Sequence, residues 1–387
     1  MSEIKVNSVK GVGASTAAIT IDNTDGSATA NITGLTNGGT FSNRNVVING
    51  AMHVNQRSSH GTAVTATGDV NYLTCDRFHW RSYGGPGLAS FTQVIGDYPS
   101  SEHRFSLKAT VTTVNTSEDQ YDHAIGYRVE GYDWQRFGFG RSNPKSATIS
   151  FWVKTSVAGV YSVSMRSGDG QRSQVQETPS LVADTWTKVK LTYTGDTESN
   201  WTSSDRATNG VGCIIEWNLG KSNAKNTSTL GSWIAGNKVA SNNQVRWIAT
   251  SGATFFLTGV QIEVGDVATD FEHITRAETQ TKCMRYYQKA GQQHYGMTES
   301  STMIRVQCPL AVEMRTVPSV SVRSGGRFNT RLQGDTTIIN PTLNATTTQA
   351  LSIWTGVETS GKSVGTPVYG RSQHGDDGNF LQAVAEL

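Results

Sequence analysis

Ile149-Ser150-Phe151-Trp152-Val153-Lys154 repeats with a period of two. Ile149, Phe151 and Val153 fall on one side, and Ser150, Trp152 and Lys154 on the other. Successive side chains of a β-strand point to opposite faces, so this run is a strand with one buried face. The same spacing returns at Tyr161, Val163 and Met165, at Val189, Leu191 and Tyr193, and at Val211, Cys213, Ile215, Trp217 and Leu219. Turn sequences separate these runs: Ser167-Gly168-Asp169-Gly170, Gly195-Asp196, Asn209-Gly210 and Ser251-Gly252. Many strands with no helical period between them predict an antiparallel sandwich over residues 45–275, with a jelly roll the usual solution at this size. Val46-Val47-Ile48 reads as a short strand because Asn49-Gly50 breaks it, though Val47, Ala51 and Val54 also fit a helical face; 70–76 is not assigned.

Working outward, one helix is predicted, from Arg276 to Ala290. Thr275 and Glu278 form a capping box, Cys283, Met284 and Tyr287 share a stripe, and Gly291 sits where a terminal glycine ends the element. Residues 276–292 thus read as a connector helix. Beyond it, Ile304, Val306, Cys308 and Leu310, then Val320 and Val322, then 351–354, resume alternation, so 293–387 is expected to be a smaller β-sandwich at the tip. Residues 1–44 contain no Trp or Tyr; Ala18-Ile19-Thr20-Ile21 and Ala30-Asn31-Ile32-Thr33 read as brief strands. Such a segment buries too little apolar surface to order itself, so it is either disordered or held by other copies of the chain or by a docking partner. The β-branched alternation favours an oligomerising β arm. The expected fold class is all-β.

Composition excludes several functions. In 387 residues, 33 basic against 31 acidic side chains give a charge of +2, without a basic cluster, so nucleic acid is not an expected partner. Cys75, Cys213, Cys283 and Cys308 are widely spaced and read as free thiols, with no metal site. No apolar run is long enough to span a bilayer, and the start MSEIKVNSVKGVGAS has no signal-peptide character, so membrane insertion and secretion by that route are not expected. H-E-x-x-H, G-x-S-x-G and Walker patterns are missing, and Gly11-Val12-Gly13 lacks the rest of a dinucleotide fingerprint. No cofactor is implied. Glu118, Asp119 and Asp122, and separately Asp376 and Asp377, are the carboxylates to weigh for glycan hydrolysis, but their polar surroundings read as solvated loops. Asp22-Asn23-Thr24-Asp25-Gly26 fails the calcium-loop spacing and reads as a turn. A non-enzyme is expected.

Aromatic residues are the more informative set. Trp217 is in phase with the core. Trp152 lies on the opposite face of its strand from Phe151, where it either lines a sheet surface or packs under a loop or a neighbouring subunit. Tyr132 and Trp134 lie in Gly131-Tyr132-Asp133-Trp134-Gln135-Arg136-Phe137, which mixes rings with hydrogen-bonding groups; Trp201 and Trp233 fall in Ser/Asn/Gly-rich loops, and Trp354 in the last domain. Sugars stack on such rings, so Tyr132, Trp134, Trp152, Trp201, Trp233 and Trp354 are the candidate glycan contacts, with structural packing the competing role of each.

Several motifs, in order, resemble phage and prophage tail-fibre proteins. They are Asn49-Gly50-Ala51-Met52-His53-Val54-Asn55-Gln56-Arg57, Ala147-Thr148-Ile149-Ser150-Phe151-Trp152-Val153-Lys154, Gly159-Val160-Tyr161-Ser162-Val163, Thr185-Trp186, Thr258-Gly259-Val260-Gln261-Ile262-Glu263-Val264-Gly265, Ala268-Thr269-Asp270-Phe271-Glu272-His273 and Cys283-Met284-Arg285-Tyr286-Tyr287. In this chain Asp270 and Met284 depart from the family's usual proline and glutamine. The resemblance implies a jelly roll similar to carbohydrate-binding domains, mounted on a trimeric fibre or spike. Residues 1–44 resemble virion-attachment segments of short-tailed marine phages, and 293–387, with Val312-Glu313-Met314-Arg315-Thr316-Val317-Pro318, the terminal β domain. The resemblance leads to the expectation of a homotrimeric virion protein that docks on other virion proteins through 1–44 and contacts host surface polysaccharide. A head fibre or decoration protein, and less so a polysaccharide depolymerase, are the alternatives.

Overall fold

Ala147–Thr155 is a strand in the computed structural model, and its inward residues Ile149, Phe151 and Val153 are at most 1% exposed. The structure describes three strands within the first 42 residues, then residues 43–387 except 68, 84–86, 118–121, 200, 202–207, 291–292, 301–302, 324–326, 332–334, 339–341, 346, 357–363, 366 and 374–380. The three early strands, β1 (Ser8–Val9), β2 (Ile19–Ile21) and β3 (Ala28–Ala30), form one small antiparallel sheet. β2 falls where the sequence places it. β3 begins two residues before the expected Ala30 start, and 31–33 lie outside the described residues.

Two antiparallel sheets make the sandwich. The first runs β13 (Thr187–Tyr193), β10 (Ala147–Thr155), β18 (Thr254–Val264), β8 (Phe105–Thr113), β7 (Leu88–Ile95), β4 (Val64–Thr65). The second runs β16 (Ile234–Ala235), β12 (Arg172–Glu177), β11 (Ser162–Ser167), β14 (Val211–Asn218), β9 (Asp122–Glu130), β6 (Phe78–Tyr83), β5 (Val70–Asn71). Inner-face rings interdigitate across the gap, Phe151 edge-on to Trp217 at 5.6 Å and Trp80 against Phe91 at 5.5 Å between centroids. Aromatic burial of this kind supplies much of the apolar area that holds two sheets together. β15 (Asn226–Thr227) and β17 (Ala240–Ser241) pair in parallel within the long connection after β14. A short helix α1 (Gly131–Trp134) runs into a 3-10 turn at Gln135–Phe137.

The segment 45–51 is not the strand that Val46-Val47-Ile48 suggests. It is irregular chain laid against β18: Val46 N–H donates to Ile262 O at 3.0 Å, while Asn45 spans Val260 O and Ile262 N–H with its side chain. Val260 N–H in turn donates to Gly50 O, and a Cβ at Gly50 would overlap the Val260 carbonyl. Side-chain amides and a close backbone approach have taken the place of a ladder, which sequence alternation does not reveal.

The helix after the sandwich is shorter than its pattern. α2 (Arg276–Met284) starts as expected, with Thr275 Oγ1 accepting from Glu278 N–H at 3.2 Å, but it stops at Met284 instead of running on to Ala290, and β19 (Tyr287–Ala290) follows at once. β19 pairs with β28 (Leu381–Val384), which also pairs with β22 (Ser319–Val322). The remaining strands form a seven-stranded sheet in the order β24 (Asp335–Ile338), β23 (Arg327–Arg331), β27 (Pro367–Gln373), β20 (Gln293–Ser300), β21 (Met303–Pro309), β26 (Ala350–Gly356), β25 (Thr342–Ala345). The architecture is all-β with one short connecting helix. None of the helices among the described residues is long and apolar enough to cross a membrane.

What stops α2 is a joint. Arg77 stacks 3.5 Å from the Tyr286 ring centroid and Arg57 3.8 Å from that of Tyr287. Both guanidinium groups meet the Glu386 carboxylate, Arg57 at 2.6 Å and Arg77 through Nη1. Arg315 holds the carbonyls of Ala385 and Glu386, each at 2.8 Å, and Ala385 N–H donates to Tyr286 O. The side chains of Arg77 and Glu386 are 1% and 6% exposed, so the charges have little water to fall back on. Glu386→Ala is expected to cost about 3–5 kcal/mol because it strands two buried cations. Glu278→Ala, which breaks an exposed pair on α2, is expected to cost about 0.3–0.5 kcal/mol. Denaturant midpoints of the two variants check this, and equal midpoints would contradict it.

Candidate functional site

The six aromatic candidates separate once the chain is folded. Trp134 and Trp201 are 1% and 0% exposed and stack 6.1 Å apart, with Phe137 4.1 Å from Trp134 and Phe139 edge-on to both tryptophans. They are core, not glycan contacts, because the 131–137 turn folds its apolar side inward. Trp201 Nε1–H donates to Asp196 at 2.7 Å, and Arg172 grips the same carboxylate through two nitrogens. Trp233 caps this box half-buried, edge-on to Trp201 at 5.4 Å, with its N–H engaged by Thr194 O. Trp354 pairs in register with Arg305 on the distal sheet. Trp152 is half-buried on the outer face of the six-stranded sheet, as its phase predicts. Tyr132 is 52% exposed.

Of the carboxylates, Asp122 is not in a solvated loop. It is fully buried on the outer face of β9, paired with Arg81 and with Lys225 at 3.3 Å, and bonded by Asn218. Arg81 and Arg166 both reach Glu216 alongside, and despite burial, which alone would raise it, they hold the Glu216 carboxyl below its usual value. The chain between β14 and β18 covers this face, with Val239, Ala240 and Ser241 buried. Buried and ion-paired beneath that chain, Asp122 and Glu216 are not an open pair of acid and base. Glu118, Asp119, Asp376, Asp377 and 22–26 lie outside the described residues. The four cysteines are buried thiols, and no His/Cys/Asp/Glu group among the described residues is placed to hold a metal.

Tyr132 lies on a cleft. A concavity of about 480 Å³ is lined by Asn43, Asn45, Glu130, Tyr132, Asp133, Arg136, Lys282 and Arg285 among others, a volume in the range of small-ligand sites. One wall is the 130–136 turn, anchored by Tyr132 N–H to Thr208 O and Gly131 N–H to Gly210 O. The other is the end of α2. Arg285 holds Glu130 through two bonds of 3.1 and 2.7 Å, and Tyr286 O–H donates to the same carboxylate at 2.6 Å. Arg136 spans the mouth, donating to Asn43 O at 2.7 Å. Asp133 accepts no hydrogen bond from a described side chain, and burial first, then the Glu130 charge, raises its carboxyl above the usual range. The result is an exposed ring flanked by an unengaged acceptor and the Arg136 guanidinium, an arrangement able to stack on one face of a small polar molecule and hydrogen-bond its edge.

The sequence pattern points to Tyr132 but not to Asp133, Arg136, Lys282 or Arg285 as part of a site. Asp133 and Arg136 are visible in the Gly131–Phe137 stretch; that Glu130 meets Arg285, 155 residues on, has no local signal.

The chain matches no protein-family model and no curated protein sequence. Among solved structures it is similar to the enzymatically active domain of bacteriophage CBA120 tailspike protein 4, at 13% identity and a TM-score of 0.29, over 57% of this chain and 21% of that one. The match thus covers about a fifth of the length of that solved chain. It is also similar to the family 11 carbohydrate-binding module of Clostridium thermocellum in complex with a mixed-linked tetrasaccharide, at 12% identity and a TM-score of 0.26, over 56% of this chain and 100% of that one. A third likeness is to the N-terminal cellulose-binding domain of Cellulomonas fimi β-1,4-glucanase C, at 12% identity and a TM-score of 0.23, over 49% and 90% of the two chains.

Trp201→Ala separates core from contact. As a core residue it is expected to cost about 3–5 kcal/mol in unfolding free energy. Wild-type stability in that variant would make Trp201 a surface ring after all.

Proposed function

We propose that this chain is a tail-fibre or spike subunit of a phage particle that attaches to host surface polysaccharide, with the Tyr132 cleft as one of its sugar subsites. The observation that supports it most directly is the cleft itself, in which the open Tyr132 ring stands beside the unengaged Asp133 carboxyl and Arg136. The order of motifs that resemble tail-fibre proteins supports the particle assignment. In this reading residues 1–44 dock on other virion proteins and assemble copies of the chain, as a trimer, and the sandwich and distal sheets project outward. Individual sugar subsites are weak, and repeated copies raise the effective affinity. The virion is then the place where the protein acts, and the chain binds rather than cleaves.

One observation favours a second, purely structural reading as a head fibre or decoration protein. The motif residues Gly50, Gln261, Arg285, Tyr286 and Tyr287 are engaged in internal joints rather than displayed. Adsorption decides between the two. The isolated full chain is expected to bind host cells, and prior exposure to purified surface polysaccharide to block it. Tyr132→Ala is expected to weaken that binding by roughly tenfold, the loss of one stacking contact worth about 1.4 kcal/mol. No binding by the wild-type chain would favour the structural role. Deleting residues 1–44 is expected to leave folded protein that no longer enters particles; normal incorporation would remove the docking role from that segment.

A further inference from the structure

The six-stranded sheet carries a second surface, built from residues the Tyr132 cleft does not use and on different chemistry. Half of that outer face is closed. Residues 266–273 fold over it, with Thr269 N–H donating to Glu263 at 2.8 Å and Glu272 N–H to Gln261 at 2.8 Å. The other half is less covered: Lys188 and Lys190 are exposed, Trp152, Trp186 and Lys108 are half-buried, and Phe256 lies buried beneath Trp186 and Lys154. There the register places Lys154 beside Phe256, Phe256 beside Lys108 and Lys108 beside Thr92, and Trp186 just precedes Thr187, the partner of Val153. Trp186, Lys154, Phe256, Lys108 and Thr92 thus form one lateral row across five strands, about 19 Å long at ~4.8 Å per strand. A second row holds Lys188 beside Trp152, and a third Lys190 beside Ser150.

The first row is fixed in place. Trp186 lies 6.0 Å from Phe256, Lys154 Nζ sits 4.3 Å from the Phe256 centroid and bonds Asp97 at 2.6 Å, and Trp186 Nε1–H donates to the same carboxylate at 3.1 Å. Lys108 Nζ lies 5.4 Å from the Phe256 ring. Trp152 is fixed too. Gly259, at φ +59°, carries no side chain where a Cβ would meet the Trp152 ring at 3.0 Å and His103 at 2.9 Å, so the indole packs against bare backbone. Lysines predominate on this face, with Glu102 and Lys188 both acting on His103. Asp97 is the acid within the rows' own contacts and it is taken by Lys154, whereas Lys108, Lys188 and Lys190 make no ion pair with a described residue, and Lys188 and Lys190 are exposed.

We propose that this less covered half-face binds a linear acidic polysaccharide, with carboxylate or sulfate groups on Lys108, Lys188 and Lys190 and sugar rings against Trp152 and Trp186. The two held indoles, on neighbouring strands in adjacent rows, accept the faces of successive rings, and the ammonium groups of Lys188 and Lys190 beside them and of Lys108 two strands away accept the charges. The inference rests on the attachment reading in that it names the class of glycan, but on residues that the Tyr132 cleft does not share. Salt weakens contacts between exposed charges, so the binding is expected to fall as ionic strength rises.

Affinity electrophoresis of the full chain through gels containing alginate, carrageenan or neutral laminarin tests it, alginate and carrageenan distinguishing carboxylate from sulfate. Retardation by one or both acidic polymers and not by laminarin is expected. Lys188→Glu/Lys190→Glu is expected to lose at least tenfold in affinity with the circular dichroism spectrum and elution volume unchanged, and Trp152→Ala to lose a comparable amount. Equal retardation by laminarin, undiminished binding by the lysine variant, a changed oligomeric state in that variant, or competition by a single-stranded oligonucleotide as strong as by the polysaccharide would each overturn the proposal. If Tyr132→Ala loses host binding while the lysine variant binds like wild type, this inference falls and the attachment reading stands; if the wild-type chain adsorbs to no host cell, the attachment reading itself falls.

Discussion

The architecture beyond the sandwich depends on one buried charge cluster. Arg57 and Arg77 leave the sandwich side by side, each with its guanidinium over a tyrosine of the 286–287 pair, and Glu386 neutralises both. An uncompensated cation at such depth is costly, so the segments carrying the two rings and the carboxylate are brought to the same place. That requirement ends α2 at Met284, starts β19 at Tyr287 and sets β28 beside it. The distal strands are therefore tied to the sandwich through a polar joint rather than hung from a free helical linker.

The same logic explains why the motif-bearing segments occur together in one chain. Asn45, Gly50 and Glu272 clasp β18 around its bulge at Gly259, while Gln56 Nε2–H donates to Asp76 at 2.5 Å and to Tyr287 O at 3.1 Å. These residues are distant in sequence and adjacent in space. Their hydrogen bonds leave them little capacity for a ligand, and the proposed recognition is therefore assigned to surfaces outside the joints, the Tyr132 cleft and the less covered half of the six-stranded face.

The two surfaces divide the aromatic residues by how much polar company each ring keeps. Trp134 and Trp201 carry their neighbours into the interior, and a buried box with Arg172 and Asp196 satisfies the indole N–H of Trp201. Tyr132 is exposed beside a cleft, while Trp152 and Trp186 are half-buried on a sheet face already partly covered. Exposed rings held by fixed neighbours lose little freedom on meeting a ligand, which favours binding even where each contact is weak.

Alternation alone determined that the chain is β-rich, which residues of β10, β11, β13 and β14 face inward, that Trp152 opposes Phe151, and where α2 begins, because period and capping are local properties carried by neighbouring residues. Local pattern failed where a distant partner overrode it. Val46–Ile48 looks like a strand but is held by the amide of Asn45 against β18; 285–290 looks helical but pairs with β28; Asp122 looks solvated but is buried under a chain that returns a hundred residues later. The cleft at Tyr132, the burial of Trp134 and Trp201 and the lysine rows of the outer face were likewise decided only by tertiary structure, since burial and electrostatic pairing belong to the assembled surface and not to any segment of it.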